Sequence, residues 1–151
     1  MRIYLDSCCL NRPFDTLRDD IVRAEAEAVL TIVNRCEEGG WELLLSDVLI
    51  EEIKAIHNLA KRQKVLLLCR LARESIALSD EITIRANELV QSGIKFYDAL
   101  HVASAEAGDV DVFLTTDRRL LNAAKRTEVK VNVSNPMTWL SEVLSDEHQS
   151  R

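Results

Sequence analysis

The sequence predicts an α/β fold in which helices cover a largely parallel sheet. Short apolar runs of strand length alternate with longer helical patterns along the chain, and this alternation is typical of parallel strands joined by helical crossovers. The chain has 151 residues, of which 47% are hydrophobic. A chain of that size forms one domain that buries roughly 70% of its unfolded surface. We therefore expect one well-packed domain.

Five apolar runs are predicted to form the strands of the sheet. Their length and apolar composition favour β-structure, whereas the segments between them have helical patterns. In chain order they are 2–5 (RIYL), 41–45 (WELLL), 75–78 (SIAL), 111–115 (DVFLT) and 129–133 (VKVNV).

Helix termini are marked by capping residues. Asp20 or an earlier residue opens the run IVRAEAEAVLTIVNRCEE, which the glycines at 39–40 close. Ser79 or Asp80 caps EITIRANELVQS, and Gly93 ends it. These signals place two long helices between predicted strands.

The charge and hydropathy of the chain exclude some classes of protein. A net charge of −6 argues against a broad basic surface that holds nucleic acid, and it leaves open a local acidic site that binds cations. No apolar run approaches the length of about 18 residues needed to cross a bilayer, and the N-terminus shows no signal pattern. We expect a cytoplasmic protein.

The four cysteines do not form a recognisable metal or disulfide pattern. Cys8, Cys9, Cys36 and Cys69 include no C-x-x-C pair and have no histidine at zinc-finger spacing, so a structural zinc site is not expected. Reduced, buried thiols are the simpler interpretation.

Acidic residues follow the ends of predicted strands or begin the helix before one. A single aspartate after a strand is commonly only a helix cap. The carboxyl ends of parallel strands, however, meet at one edge of the sheet, where ligands bind. The residues concerned are Asp6, Asp47, Glu51, Glu52, Asp98 and Asp117.

Carboxylates brought together in this way require a counter-charge. Two of them about 4 Å apart repel by about 4 kcal/mol at an effective dielectric constant of 20, which a marginally stable fold does not keep without a cation or a proton between them. Oxygen ligands suit Mg²⁺ or Mn²⁺. Such ions orient a phosphodiester and lower the pKa of a bound water. The sequence therefore predicts metal-dependent phosphodiester hydrolysis.

Four motifs, IYLDSCCLN, LLLSDVLIEEI, FYDALHVASA and FLTTDRRLL, occur in this order along the chain. Together they resemble the PIN-domain (PilT N-terminus) nucleases, in particular the VapC-like ribonuclease toxins of prokaryotic toxin–antitoxin systems. The resemblance implies a three-layer α/β/α sandwich with a central, mostly parallel sheet of about five strands. We place this domain at residues 1–145 and a flexible tail at 146–151.

The resemblance also implies the residues of an active site. Glu52 is preferred to Glu51 because the glutamate of the family lies six positions after its serine, here Ser46. Ser7, Ser46 and Thr116 stand where the family has supporting hydroxyl groups. The implied catalytic and metal-binding quartet is Asp6, Glu52, Asp98 and Asp117.

The implied cofactor is Mg²⁺ or Mn²⁺, and the implied substrate is RNA, cut to leave a 3′-hydroxyl and a 5′-phosphate. A small antitoxin protein and a second copy of the chain are the implied partners. Basic residues at Lys61, Arg62, Lys64 and Arg118 could contact the RNA. The basic stretch in 51–73 is more simply explained as a solvated helix surface.

The residues next to Asp98 are predicted to support the fold. His101 lies one turn after Asp98 and is predicted to pack or to support it rather than to act as a base. Phe96 and Tyr97 are predicted to be core residues, with the alternative that one ring contacts a base of a nucleic acid.

Other protein classes fit the sequence less well. Haloacid-dehalogenase-like phosphatases need a second aspartate two residues after the first, where this chain has Cys8. Phosphorylation receiver domains need a lysine before a proline, whereas Lys130 lies in a predicted strand and precedes no proline. The principal alternative is a PIN-like binding module that holds a protein partner without catalysis. The intact carboxylates count against it.

Overall fold

Five parallel strands form the central sheet. They are β1 (Arg2–Leu5), β2 (Glu42–Ser46), β3 (Glu74–Ile76), β4 (Val112–Leu114) and β5 (Asn132–Ser134). The computed structural model describes residues 1–16 and 19–149, and within them the sheet has the order β3-β2-β1-β4-β5. Helices join and cover these strands, so the predicted three-layer α/β/α sandwich with a parallel central sheet is confirmed.

The strand order reverses beside β1. The chain adds β2 and β3 on one side of β1 and then returns to place β4 and β5 on the other side. In parallel sheets, the loops at the carboxyl ends of the strands diverge at such a point and leave a crevice where ligands bind. The carboxyl ends of β1 and β4 are therefore the expected place for a binding site.

The apolar composition of β1 suits its central position. Ile3, Tyr4 and Leu5 are fully buried, and Tyr4 lies in register with Leu44 of β2 and Phe113 of β4. The rings of Tyr4 and Phe113 stack with their centroids 5.1 Å apart. A parallel strand that is buried on both faces needs a continuous apolar run, which this segment supplies.

The fifth strand begins at Asn132, later than the predicted start at 129. The backbone groups just before it are paired outside the sheet. The carbonyl of Glu128 accepts a hydrogen bond from Arg85 (2.9 Å), and the amide of Lys130 donates to Glu106 (2.8 Å). This segment therefore forms a loop held by side chains rather than part of the strand.

Eight helices and a short 3₁₀ turn at Arg12–Phe14 complete the described part of the chain. None of the described helices is long and apolar enough to cross a membrane. The helices are α1 (Ser7–Asn11), α2 (Asp20–Glu37), α3 (Asp47–Lys54), α4 (Leu59–Cys69), α5 (Asp80–Gln91), α6 (Phe96–Ala107), α7 (Arg118–Lys125) and α8 (Pro136–Gln149).

The long helices begin and end close to the predicted residues. Asp19 caps α2 by accepting a hydrogen bond from the amide of Ile21 (2.7 Å), and Ser79 caps α5 by accepting from Ile82 (3.2 Å). Gly93 follows α5 with φ of 111°. This left-handed conformation favours glycine and ends the helix.

The last helix extends past the predicted domain boundary at 145. Helix α8 continues to Gln149, and Glu147 accepts a hydrogen bond from Arg35 (2.7 Å). The last two residues lie outside the described part of the chain. The flexible tail at 146–151 stays a prediction.

The prediction that Phe96 and Tyr97 are core residues is wrong. Phe96 is 46% exposed and Tyr97 is 71% exposed, and their rings contact each other edge to face. Both lie in the first turn of α6, whose buried face begins at Ala99. The two rings therefore form an exposed aromatic surface next to Asp98.

The loop after α1 is held by a network of ion pairs. Glu25 of α2 is 4% exposed, and its two carboxylate oxygens accept from Arg12 (3.0 Å) and Asn135 (2.7 Å). Asp15 accepts from Arg12 (3.2 Å) and from Lys61 of α4 (2.6 Å). The network joins this loop to α2, α4 and the start of α8, and it therefore shapes the backbone that follows Asp6.

Glu25→Ala is expected to lower the free energy of unfolding by about 1–3 kcal/mol, because it removes the buried carboxylate that pairs with the partly buried Arg12 and leaves the amide of Asn135 without its acceptor. Glu27→Ala, on the exposed face of the same helix, is the matched control and should change it by less than about 0.5 kcal/mol. Urea unfolding of both variants measures the difference. Equal effects would show that the network contributes nothing to stability.

Candidate metal centre and active site

The predicted acidic residues converge at the carboxyl ends of the central strands. Asp6 follows β1 directly and Asp117 caps α7 after β4. Glu52 lies on α3, which follows β2, and Asp98 lies in the first turn of α6. The topology therefore brings four carboxylates from distant parts of the chain to the edge where the strand order reverses.

Asp6 is the most buried member of the group, with 7% exposure. Its Oδ1 accepts hydrogen bonds from the Cys8 thiol (2.6 Å) and from the Cys9 amide (3.3 Å), and it caps α1. Burial raises the pKa of Asp6 well above its usual value, and the neighbouring Cys8 raises it further. A full negative charge on Asp6 is therefore unfavourable unless a cation lies nearby.

Thr115 places its hydroxyl group next to Asp6, and the supporting role of the Thr116 hydroxyl stays a prediction. Thr115 is fully buried, its Oγ1 accepts from the amide of Asp117 (3.1 Å), and it lies 3.4 Å from the sulfur of Cys8. Thr116 contributes through its amide, which donates to the same sulfur (3.3 Å). Spacing alone did not distinguish these two neighbouring threonines.

Glu52 is held at both of its carboxylate oxygens. Ser7 donates to Oε1 (2.7 Å), and His101 Nε2 lies 2.5 Å from Oε2. Partial burial would raise the pKa of Glu52, but the hydrogen bonds from His101 and Ser7 outweigh it and lower the pKa. Glu51, in contrast, points to solvent with its side chain 76% exposed and pairs with Lys54 at 3.7 Å.

A chain of buried hydrogen bonds connects Glu52 to the core. The Tyr4 hydroxyl lies 2.7 Å from His101 Nδ1 and 2.7 Å from Ser46 Oγ. Ser46 Oγ also accepts from the amide of Leu49 (3.0 Å) and caps α3. Tyr4, Ser46 and His101 are all at most 3% exposed. Sequence reasoning did not single out Tyr4, because a tyrosine in an apolar strand reads as a packing residue.

One arrangement of protons satisfies every atom of this chain. Ser46 Oγ accepts a hydrogen bond from the amide of Leu49 and donates one to the Tyr4 hydroxyl. The Tyr4 hydroxyl then donates to His101 Nδ1. The proton of a neutral His101 then lies on Nε2 and is donated to Glu52. Burial raises the pKa of Tyr4, so its hydroxyl retains the proton that this arrangement needs. His101 thus supports Glu52 from inside the fold.

Asp98 has a different environment. It is half-buried, and no described residue donates a hydrogen bond to its carboxylate. Burial raises the pKa of Asp98, and the negative charges of Asp117 and Glu52 raise it further. Asp117 accepts hydrogen bonds from the amides of Arg119 (2.9 Å) and Leu120 (3.5 Å). Among the four carboxylates, Asp98 is therefore the one without a hydrogen-bond donor in the described part of the chain.

The donor set fits a hard divalent cation. In 1–16 and 19–149, the ligand atoms of Asp6, Cys8 and Cys9 form the only metal-compatible set of three within 4.8 Å of one another. No three of the four carboxylates lie that close together. Mg²⁺ and Mn²⁺ keep several waters as ligands and need only a few carboxylates. A cation would also offset the burial and repulsion that raise the pKa of Asp98.

The cations predicted to contact RNA are partly engaged in other contacts. Lys61 donates to Asp15 (2.6 Å), Arg62 donates to the carbonyl of Lys54 (3.4 Å), and the ammonium of Lys64 lies 5.8 Å from the ring centre of Phe14. Arg118 is exposed at the start of α7. Their contact with RNA stays a prediction.

Comparisons with known proteins agree with this fold. The model of the PIN-domain family matches residues 3–126. FitAcB from Neisseria gonorrhoeae has a TM-score of 0.59 and 18% identity, over 89% of this chain and 97% of that chain. VapBC2 from Rickettsia felis, bound to a DNA fragment from its promoter, has a TM-score of 0.58 and 15% identity, over 89% and 98%.

A third solved structure is VapC20 from Mycobacterium tuberculosis, described as a sarcin-ricin loop cleaving toxin. Its TM-score is 0.57 and its identity is 11%, over 81% of this chain and 95% of that chain. Identities this low show the fold alone. A comparison with curated proteins gave no significant match.

Asp98→Asn is expected to leave the metal-free protein at least as stable as the parent, because the raised pKa of Asp98 shows that its charge is unfavourable in the folded state. Mn²⁺ should stabilise the parent by about 2.7 kcal/mol at 100 times its Kd and should stabilise the variant much less. Thermal melts with chelator or Mn²⁺ measure both effects.

Asp80→Asn removes a charge from the first turn of α5 and is the matched control. It should cost about 0.3–1 kcal/mol through the helix dipole and leave the Mn²⁺ response unchanged. A lower melting temperature of Asp98→Asn in chelator, together with a parent that does not respond to Mn²⁺, would contradict the metal centre.

Tyr4→Phe is expected to lower the free energy of unfolding by about 2 kcal/mol, because it leaves Ser46 and His101 with buried polar atoms that have no partner. Tyr97→Phe makes the same chemical change at a side chain that is 71% exposed, and it should have an effect below about 0.5 kcal/mol. Urea unfolding compares the two. A near-neutral Tyr4→Phe would mean that the hydrogen-bonded chain is not formed in solution.

Proposed function

Because the chain belongs to the PIN-domain family, we propose that it is a metal-dependent endoribonuclease that hydrolyses RNA phosphodiester bonds. The observation that carries this proposal is the convergence of four carboxylates at the strand-order reversal. The pKa values of two of them, Asp6 and Asp98, are raised, mainly by burial. A purely structural site has no reason to retain such repulsion.

Asp6, Glu52, Asp98 and Asp117 are the proposed ligands of Mg²⁺ or Mn²⁺. The ion, when bound, supplies charge that orients the phosphodiester and lowers the pKa of a water. The chain's own groups hold the ligands in place. Ser7 and His101 fix both oxygens of Glu52, and the first turns of α1 and α7 fix Asp6 and Asp117 through their backbone amides.

Hydrolysis is proposed to proceed by in-line attack of water, which leaves a 3′-hydroxyl and a 5′-phosphate. The Cys8 thiol donates a hydrogen bond to Asp6, but hydrogen bonds, first that with Cys9, lower the pKa of Cys8 to about 5. The metal dependence of cleavage is therefore the observation that separates water from this side chain as the nucleophile. A protein nucleophile would instead give cleavage that persists without metal.

The proposal extends to the toxin component of a type II toxin–antitoxin system. VapC20, which shares the fold, is described as a sarcin-ricin loop cleaving toxin. A small antitoxin protein and a homodimeric assembly are the proposed partners, and the cytoplasm is the proposed location. The exposed aromatic surface of Phe96 and Tyr97 is compatible with a partner protein next to the site.

Glu52→Gln is expected to reduce RNA cleavage by about 100-fold or more, since even the groups that support metal ligands contribute about 10–100-fold. Glu51→Gln is the matched control one residue away, and it should leave the rate close to that of the parent because Glu51 is solvent-exposed. A mixed RNA pool incubated with Mg²⁺, Mn²⁺ or chelator, followed by mapping of the cut ends, measures rate and chemistry together.

Cleavage that persists in chelator, or ends with a 2′,3′-cyclic phosphate, would contradict metal-dependent hydrolysis by water. Equal losses in the two variants would contradict the choice of Glu52. A parent that binds divalent ions but cuts no RNA would favour the alternative of a PIN-fold binding module.

A further inference from the structure

A cavity lined by cations opens beside the carboxylates. It has a volume of about 560 Å³ and lies between the turn that joins α5 to α6 and the surface of α7. Its floor is formed by the buried apolar residues Ile94, Leu120 and Ala123. Ligand cavities typically have volumes of about 300–1,000 Å³, so the space is large enough for part of a substrate. It is called the α7 cavity below.

The walls of the α7 cavity are strongly basic. Lys95, Arg119, Lys125 and Arg126 line it, and all four side chains are exposed. Asp98 is the one carboxylate among the residues that line this cavity. The same Asp98 belongs to the carboxylate group described above. The cavity therefore shares Asp98 with the candidate metal centre.

The four cations of the α7 cavity are not used in ion pairs within the described part of the chain, unlike the arginines that join elements of the fold. No carboxylate in 1–16 and 19–149 pairs with any of the four. Arg2, Arg12 and Arg85 each pair with two carboxylates. The chain has 25 acidic and 19 basic residues, so carboxylates are abundant. Apart from Asp98, no carboxylate lines this cavity, so its cations offer positive charge to an anionic ligand.

The cations also have the spacing of an extended ligand. Arg119, Asn122, Ala123 and Arg126 occur at i, i+3, i+4 and i+7 and share one face of α7. At a rise of about 1.5 Å per residue, Arg119 and Arg126 are separated by about 10 Å along the helix. The two arginines are therefore placed to contact different anionic groups of one extended ligand, such as a chain with repeated charges. Guanidinium groups suit phosphate oxygens because they donate several hydrogen bonds in one plane.

We propose that the α7 cavity binds the phosphates of the RNA strand that flank the scissile phosphate. The inference rests on the proposed function, because Asp98 lines both the cavity and the metal centre. A strand with its scissile phosphate at the carboxylates extends its neighbouring phosphates into the cavity. The four cations then hold an anionic backbone on a protein whose net charge is −6.

The test compares two double variants that remove the same number of charges. Arg119→Gln with Arg126→Gln alters the α7 cavity, and Arg70→Gln with Arg73→Gln alters exposed cations at the end of α4 and before β3. Anisotropy of a fluorescein-labelled single-stranded oligoribonucleotide in chelator, over a range of salt concentrations, measures binding without cleavage. Thermal melting confirms that all variants are folded.

The cavity variant should bind about 25-fold more weakly than the parent at about 0.1 M salt, and the slope of log K against log salt should be shallower by about 1.4, as the loss of two single-strand phosphate contacts predicts. The α4 variant should bind like the parent. The cavity variant should also cleave RNA more slowly at subsaturating concentrations while retaining its stabilisation by Mn²⁺.

Unchanged RNA affinity of the cavity variant, or a loss confined to the α4 variant, would overturn this assignment while leaving the proposed nuclease function intact. A parent that neither binds nor cuts RNA would refute the proposed function itself. If a polyglutamate peptide of matched charge binds the parent as tightly as the RNA does, and the cavity variant loses both ligands, an acidic protein segment is the better occupant.

Discussion

Repulsion among the carboxylates at the carboxyl ends of the central strands determines the arrangement of the polar groups around them. Asp6 and Asp117 are each placed at a helix N-terminus, where backbone amides donate to them. Glu52 receives two side-chain donors. Asp98 alone among the four has no donor in the described part of the chain, and burial and Asp117 raise its pKa. The charge on Asp98 therefore stays unfavourable in the folded protein, and a cation bound next to it would stabilise it.

The donors of Glu52 show how the core and the site depend on each other. Tyr4 packs its ring against Phe113 inside the sheet and uses its hydroxyl to connect Ser46 with His101. Because Ser46 also caps α3, the same interactions set the position of that helix and the orientation of the carboxylate it carries. A ring fixed by close packing has little freedom to move. The packing of β1 therefore fixes the position of the Glu52 carboxylate.

The distribution of charge reconciles an acidic chain with the anionic substrate that we propose for it. Most of the arginines that lie far from the site in the described structure are used for internal ion pairs, such as those of Arg12 with Glu25 and of Arg85 with Glu106. Those pairs join elements of the fold and offer little charge to a ligand. The cations of α7 have no such partners. Net charge is therefore a poor guide to nucleic-acid binding when several unpaired cations line one cavity.

Local patterns in the sequence determined the elements and the candidate carboxylates, because periodicity, caps and strand length are properties of neighbouring residues. Asp6, Asp98 and Asp117 could be identified because each adjoins an element that the sequence predicts. Only the tertiary structure decided which groups support them. The contact of His101 with Glu52, and the position of the Thr115 hydroxyl next to Asp6, depend on the register of β1 with β2 and β4 and on the placement of α3 against α6. These contacts join residues that are distant in sequence and leave no periodic signal in the chain. The groups that support the carboxylates can therefore be identified only from the assembled tertiary structure.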